Sequence, residues 1–224
     1  MSTPNTIKAQ LQELIDISNR VTGKSNTDLT GAVDALIDTY NDEYALRESI
    51  LARSVTEIES ELESLTTYAL YNCTKLTRAH FPNLTYMSSY CLTNCEKLVD
   101  VYVPKLSITN GRVFQNNLSL EYIDLPSMNT FYGENTFNGC TKLKTFVLRY
   151  SSGICELGNI NSFSKTLIES GTGYIYVPKS MVEQYKTATN WTTFASQFRA
   201  LEDYTVDGTI DGELDWDKVN GGAA

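Results

Sequence analysis

The chain has 224 residues, 42% of them apolar, and a formal net charge of −9. That length holds one or two domains, and the acidic balance argues against nucleic acid as a partner, because phosphate binding needs a basic stripe. No apolar run is long enough to span a bilayer, and Met1-Ser2-Thr3-Pro4-Asn5 lacks the basic and apolar regions of a secretion signal, so a soluble chain made in the cytosol, with no membrane insertion, is expected.

Residues 5 to 66 read as helical. Ile7, Leu11, Leu14 and Val21 keep helical spacing up to Gly23. Ser25-Asn26-Thr27-Asp28 offers caps for a second helix with Leu29, Ala32, Val33, Leu36, Ile37 and Tyr40 on one stripe, broken at Asn41-Asp42. A third helix is expected from Leu51, Val55, Ile58, Leu62 and Leu65, which step by 4, 3, 4 and 3 as the seam of a short coiled coil. That seam predicts a homo-oligomer, a trimer by preference. The alternative is a helix packed on the first two within one subunit.

A repeat of about 22 residues follows. Cys73-Thr74-Lys75-Leu76 recurs as Cys95-Glu96-Lys97-Leu98, Asn117-Leu118-Ser119-Leu120 and Cys140-Thr141-Lys142-Leu143, at steps of 22, 22 and 23. Leu70, Leu92, Phe114 and Phe137 keep the same step, as do Pro82, Pro104 and Pro126, with Arg149 where a fourth proline would fall. Such a period means stacked supersecondary units. The run before each proline alternates with period 2 and reads as a strand, with Ala79/Phe81, Val101/Val103, Ile123/Leu125, Phe146/Leu148 and Ile175/Val177 inward. Stepping back 22 from Leu84 and Met87 lands on Leu62 and Leu65, so the heptad helix is expected to run directly into the first repeat. Three of the five cysteines share one repeat position and read as buried thiols. Cys91 and Cys95 are four apart, but no second pair at zinc spacing follows, so no metal and no cofactor are expected. Residues 150 to 172, rich in Ser, Gly and Asn, read as a loop that breaks the repeat.

The end of the chain reads as a cap and a tail. Ser180-Met181-Val182-Glu183 has the form of a capping box. Asn190-Trp191 opens a second short helix with Phe194, Phe198 and Leu201. Beyond it Glu202, Asp203, Asp207, Asp211, Glu213, Asp215 and Asp217 read as a mobile acidic tail, with no calcium-loop spacing. The resulting division is 1–66 helical attachment and oligomerisation segment, 67–178 solenoid, 179–201 helical cap and 202–224 tail.

The cassette Leu92-Thr93-Asn94-Cys95-Glu96-Lys97-Leu98-Val99-Asp100-Val101-Tyr102-Val103-Pro104 resembles the BspA-like, or Treponema pallidum type, leucine-rich repeats. The stretch from Tyr176-Val177-Pro178 to Asn190-Trp191 looks like the terminal cap of that family. The resemblance covers residues 62 to 201. Taken with the helical periodicity ahead of it, the expected fold is an α+β chain: N-terminal helices with a short coiled coil, a leucine-rich-repeat β-solenoid and a C-terminal helical cap. Repeats of this kind occur in bacterial surface proteins and in structural proteins of bacteriophages. Val21-Thr22-Gly23-Lys24-Ser25-Asn26-Thr27-Asp28-Leu29-Thr30-Gly31-Ala32-Val33 looks like helical segments of phage structural proteins.

A catalytic site is not expected. His80 is the only histidine and faces outward between Ala79 and Phe81, so no histidine pair can share acid–base work, and no glycine-rich phosphate loop is present. The sheet face is the candidate for binding. Its outward ladders hold Arg78, Asp100, Tyr122, Thr145 and Tyr174, and His80, Tyr102, Asp124, Val147 and Tyr176. Rings beside carboxylates suit sugar or protein ligands. The competing reading is a solvated face, or one packed on a neighbouring subunit. The expectation is a non-enzymatic fibre or decoration subunit on a phage capsid or tail, assembled in the bacterial host cytoplasm. It would be held to other virion proteins by its N-terminal helices and display the solenoid to host-surface glycan or protein. A bacterial cell-surface adhesin module is the alternative, and a polysaccharide-degrading enzyme a third.

Overall fold

Each repeat makes one flattened coil, with a short strand on either flank and tight turns between. The computed structural model describes residue 50 and residues 52–221. The chain divides after Ala52, and every element below belongs to the unit beginning at Arg53. The two helices expected over residues 5–40 and the seam residue Leu51 lie outside the described residues. On one flank run β1 (Glu57–Glu59), β3 (Arg78–His80) and β5 (Asp100–Tyr102), continued by β7 (Tyr122–Leu125), β9 (Thr145–Leu148), β11 (Tyr174–Val177) and β12 (Phe198–Ala200). On the other run β2 (Ser64–Leu65), β4 (Tyr86–Met87), β6 (Ile108–Thr109), β8 (Thr130–Phe131) and β10 (Glu156–Leu157). All pairings between these strands are parallel, and each joins one coil to the next.

The repeat residues explain the coil. Pro82, Pro104 and Pro126 occupy the second position of four-residue turns closed by Leu84 N–H to the Phe81 carbonyl, Leu106 to Val103 and Met128 to Leu125, where the fixed φ of proline is already correct. Asn72, Asn94 and Asn116 have φ near +60°, a region that asparagine tolerates better than other non-glycine residues. Their amides form a ladder: Asn94 Nδ2 donates to Asn72 Oδ1 at 2.7 Å and Asn116 Nδ2 to Asn94 Oδ1 at 2.9 Å. Gly139 ends it, because a Cβ there would stand 2.2 Å from Asn116 Oδ1. The next position, Cys73, Cys95, Asn117 and Cys140, is wholly buried. Cys95 Sγ donates to the Leu70 carbonyl and Cys140 Sγ to that of Phe114. Burial pushes both thiols up to about 12. Phe114, Phe137 and Phe163 stack along the core, 5.2 and 5.5 Å apart.

Residues 53–65 are not a helix. They form a complete first coil: Glu57, Ile58 and Glu59 pair with Arg78, Ala79 and His80, and Ser64 and Leu65 with Tyr86 and Met87. Val55, Ile58 and Leu65 are buried in the solenoid, while Leu62 is 53% exposed. The 3–4 spacing of apolar residues is met equally by strand–turn–strand. The edge of β3 supplies hydrogen bonds and an apolar wall that decide in favour of the strand. The oligomerisation seam over Val55, Ile58, Leu62 and Leu65 therefore does not exist as a helical surface.

The insertion at 150–172 also differs from expectation. It carries β10 and a 3-10 turn at Ile160–Phe163, and it buries Cys155, Phe163 and Ile168, so the coil is widened and not broken. In the cap, Ser180 lies inside a 3-10 turn (Lys179–Met181), and α1 (Val182–Thr187) starts with no side-chain cap, so the capping box does not form. A 3-10 helix at Trp191–Gln197 follows, and Phe198 opens β12 instead of extending it. Trp191 Nε1 donates to the Cys155 carbonyl at 2.6 Å, and the Tyr185 hydroxyl oxygen accepts the Cys155 N–H at 2.9 Å, which ties the cap to the last coil. Among the described residues, no helix is long and apolar enough to cross a membrane.

Candidate functional site

The register of the strands sets the outward side chains of the first flank in two rows, as the alternation predicts. The two halves of this face have different fates.

Over β1, β3 and β5 the face is open and charged. Arg78 reaches Glu59 at 3.3 Å, Glu57 at 4.0 Å and Asp100 at 3.5 Å. It also meets His80 Nδ1 at 2.9 Å, while His80 Nε2 lies 2.8 Å from an Asp100 oxygen. An arginine can only donate, so Nδ1 is the acceptor, and Nε2 carries the hydrogen toward Asp100. Both ring nitrogens are committed. Tyr102 leans on the His80 ring at 5.4 Å and is 50% exposed.

Over β7, β9 and β11 the face is covered by the chain's own segment 205–219. The expected mobile acidic tail is instead an ordered strap. Thr205 bridges Leu214 in antiparallel fashion, and Val206 N–H donates to the Glu213 carbonyl at 2.9 Å. At the hairpin tip Asp207 accepts from the Thr209 amide and hydroxyl at 3.0 and 2.9 Å, bonds that hold its carboxyl below the usual range. Asp215 then caps α2 (Trp216–Val219). Ile210, Leu214 and Val219 pack with Tyr122, Val147, Tyr174 and Tyr176, and Trp216 meets Tyr122 edge-on at 5.0 Å. Burial pushes the Tyr176 hydroxyl up to about 12. Arg149 locks the strap. Its Nε and Nη2 donate to the same Asp124 oxygen at 2.8 Å, and its Nη1 donates to the carbonyls of Ile210 and Gly212. The Arg149 side chain is 10% exposed. A proline at 149, as the repeat pattern suggests, would make none of these bonds.

Between the two halves lies a cleft of about 600 Å³. Tyr102, Asp100, Tyr122 and Asp124 line it from the sheet, and Asp211, Glu213 and Trp216 from the strap. Of the predicted face, Arg78, His80, Asp100 and Tyr102 are on the open half, and Tyr122 and Asp124 stand at the border. Thr145, Tyr174 and Tyr176 lie on the strands beneath the strap, with Thr145 and Tyr176 buried. Sequence reasoning missed Arg149, Asp211, Glu213 and Trp216. The available signal was the arginine replacing a repeat proline, together with Ile210, Leu214, Trp216 and Val219 among the acids. Among the described residues, no group of three His, Cys, Asp or Glu side chains is placed to hold a metal ion.

A sequence profile of the BspA type leucine-rich repeat region matches residues 42–166 in six copies, more than half of the chain. The chain belongs to this family. Three solved structures resemble part of this chain. The leucine-rich repeat protein of T. pallidum is 21% identical, with 55% of this chain and 52% of that chain covered and a TM-score of 0.42. The pneumococcal vaccine antigen PcpA is 16% identical over 65% of this chain and 39% of that one, at a TM-score of 0.44. A leucine-rich repeat protein from Bacteroides ovatus is 23% identical, covering 58% and 45%, with a TM-score of 0.34. The chain thus spans about half or less of each of these structures. No curated protein matches it.

Proposed function

We propose that this BspA-like protein is a non-enzymatic recognition module that holds a host-surface glycan, or a protein ligand, in the cleft between the solenoid face and the strap. The observation that carries the reading is the cleft itself. Two well-exposed rings, Tyr102 and Trp216, stand beside carboxylates on a rigid parallel scaffold, the pattern that stacks on a ring and accepts hydrogen bonds from its substituents. Catalysis has less support, because His80 is occupied at both nitrogens and the strap carboxylates line a wall with no histidine of their own. A glycan array with the wild type and with Tyr102→Ala tests the site. Binding by the wild type that falls about tenfold or more in the variant supports it, and equal binding by both removes the cleft from consideration.

The same proposal places the module on a bacteriophage particle as a fibre or decoration subunit. Attachment and self-association are assigned to the segment ahead of Arg53, since the residues of the expected seam are spent in the first coil. This placement rests on the resemblance of the N-terminal stretch to phage structural proteins. Proteomics of purified particles lacking the chain would refute it. Light scattering should give an oligomer for the full chain and a monomer for a chain starting at Arg53; a monomer in both places assembly on the particle alone.

A further inference from the structure

The charges around the cleft are unevenly committed, and this points to a ligand class. Arg149 has every nitrogen engaged, two on Asp124 and one on the strap carbonyls. His80 is bound at both ring nitrogens, and the Arg78 guanidinium bonds Glu59, His80 and Asp100. Among the described residues, no cationic donor faces the cleft uncommitted. The carboxylates are the reverse. Asp211 and Glu213 form no close ion pair among the described residues, Asp211 feeling Arg149 only at longer range, and both are exposed on the strap wall, while Asp100 is engaged through one oxygen only. They face the rings of Tyr102 and Trp216, 50% and 44% exposed. Aromatic faces beside unpaired carboxylates attract cations, since the ring quadrupole and the formal charges act in the same direction. An anionic group would enter a negative field with no free donor to meet it.

We infer that the cleft selects an ammonium group, presented either by a lysine side chain of a protein or by an amino sugar with a free amine. This rests on the cleft being the binding site, and it goes further by requiring a positive charge on the ligand. The chain supplies its own reporter. It has two tryptophans; Trp191 is wholly buried in the cap and Trp216 stands at the cleft, so a ligand-induced change in tryptophan emission reports Trp216.

The experiment titrates the full chain with four probes: tetralysine, a glucosamine tetramer, and the N-acetylated form of each. Calorimetry runs in parallel for binding that leaves Trp216 unmoved. One or both amine forms should bind and their acetylated partners should not, with the tetralysine and glucosamine arms identifying the source. Raising the salt to about 0.5 M should weaken binding, since exposed charge pairs are screened. Glu213→Gln and Asp211→Asn should each weaken it roughly fivefold, while Glu96→Gln, an equal change of net charge away from the cleft, should not. Equal binding of the acetylated sugar overturns the ammonium assignment and leaves the glycan reading standing. Loss of affinity in Glu96→Gln as large as in Glu213→Gln reduces the effect to bulk charge and overturns it too. No binding of any probe overturns it outright.

Discussion

At the scale of single residues, the asparagine ladder and the buried thiols carry predictions that separate backbone from side-chain effects. Asn94 both holds a left-handed turn and bonds two neighbouring coils. Asn94→Gly keeps the turn and loses the bonds; Asn94→Ala loses both. Urea unfolding should therefore rank wild type above Gly above Ala, with Ala down by about 2 kcal/mol. The thiols give a pH dependence. In the folded chain Cys91, Cys95 and Cys140 are pushed up to about 12 by burial, against an ordinary value near 9.0. Between those values the unfolded chain has lost its thiol protons and the folded chain retains them, so stability should fall as pH rises from about 9 toward 12. A thiol-specific reagent at pH 8 should react with these cysteines only as fast as the solenoid opens; rapid stoichiometric labelling would contradict this burial. Much at this scale was legible. The Asn-Cys pairs, the prolines and the inward strand residues each sit where a coil needs a left-handed turn, a preset φ or a core contact. Tyr68, Tyr90 and Arg112 were not legible, because their positive φ opposes their own preference and is imposed by the stacking of coils.

At the scale of elements, the strap and the first coil show why a local pattern misleads. The apolar residues of 205–219 have no helical or strand period of their own. They follow the shape of the sheet beneath them, so they read as an acidic tail until that sheet is present. The heptad at 51–65 is the converse: a clean period whose meaning was changed by a neighbour. The coincidence of Leu62 and Leu65 with the repeat phase was the better signal, and it marked an additional coil where a junction had been expected. Arg149→Ala tests the lock. It leaves Asp124 at 18% exposure without its partner and releases two strap carbonyls, at a cost of about 3–5 kcal/mol. Hydrogen exchange should quicken across 205–219 first, while β3 to β6 stay protected. Uniform loss of protection would mean that the strap and solenoid unfold as one unit.

At the scale of the whole molecule, stability passes from coil to coil, so each end must be closed. The cap closes one end through Trp191 and Tyr185 on Cys155. At the other end the first coil is the critical element. A chain starting at Arg53 should melt cooperatively near the temperature of the full solenoid. One starting at Thr67 loses β1 and β2 with the buried side chains of Val55, Ile58 and Leu65, on the order of 5 kcal/mol, and thermal circular dichroism should show a large drop in Tm. Equal melting of the two would mean that the first coil adds nothing.

The strap also gives the molecule a direction in time. Coils can stack as they leave the ribosome, each on the one before, but the cleft has only one wall until residues 205–219 have emerged. A nascent or prematurely ended chain can therefore fold its repeats and still lack a complete cleft. Any binding that uses both walls of the cleft must therefore wait until the last coil, the cap and the strap are in place.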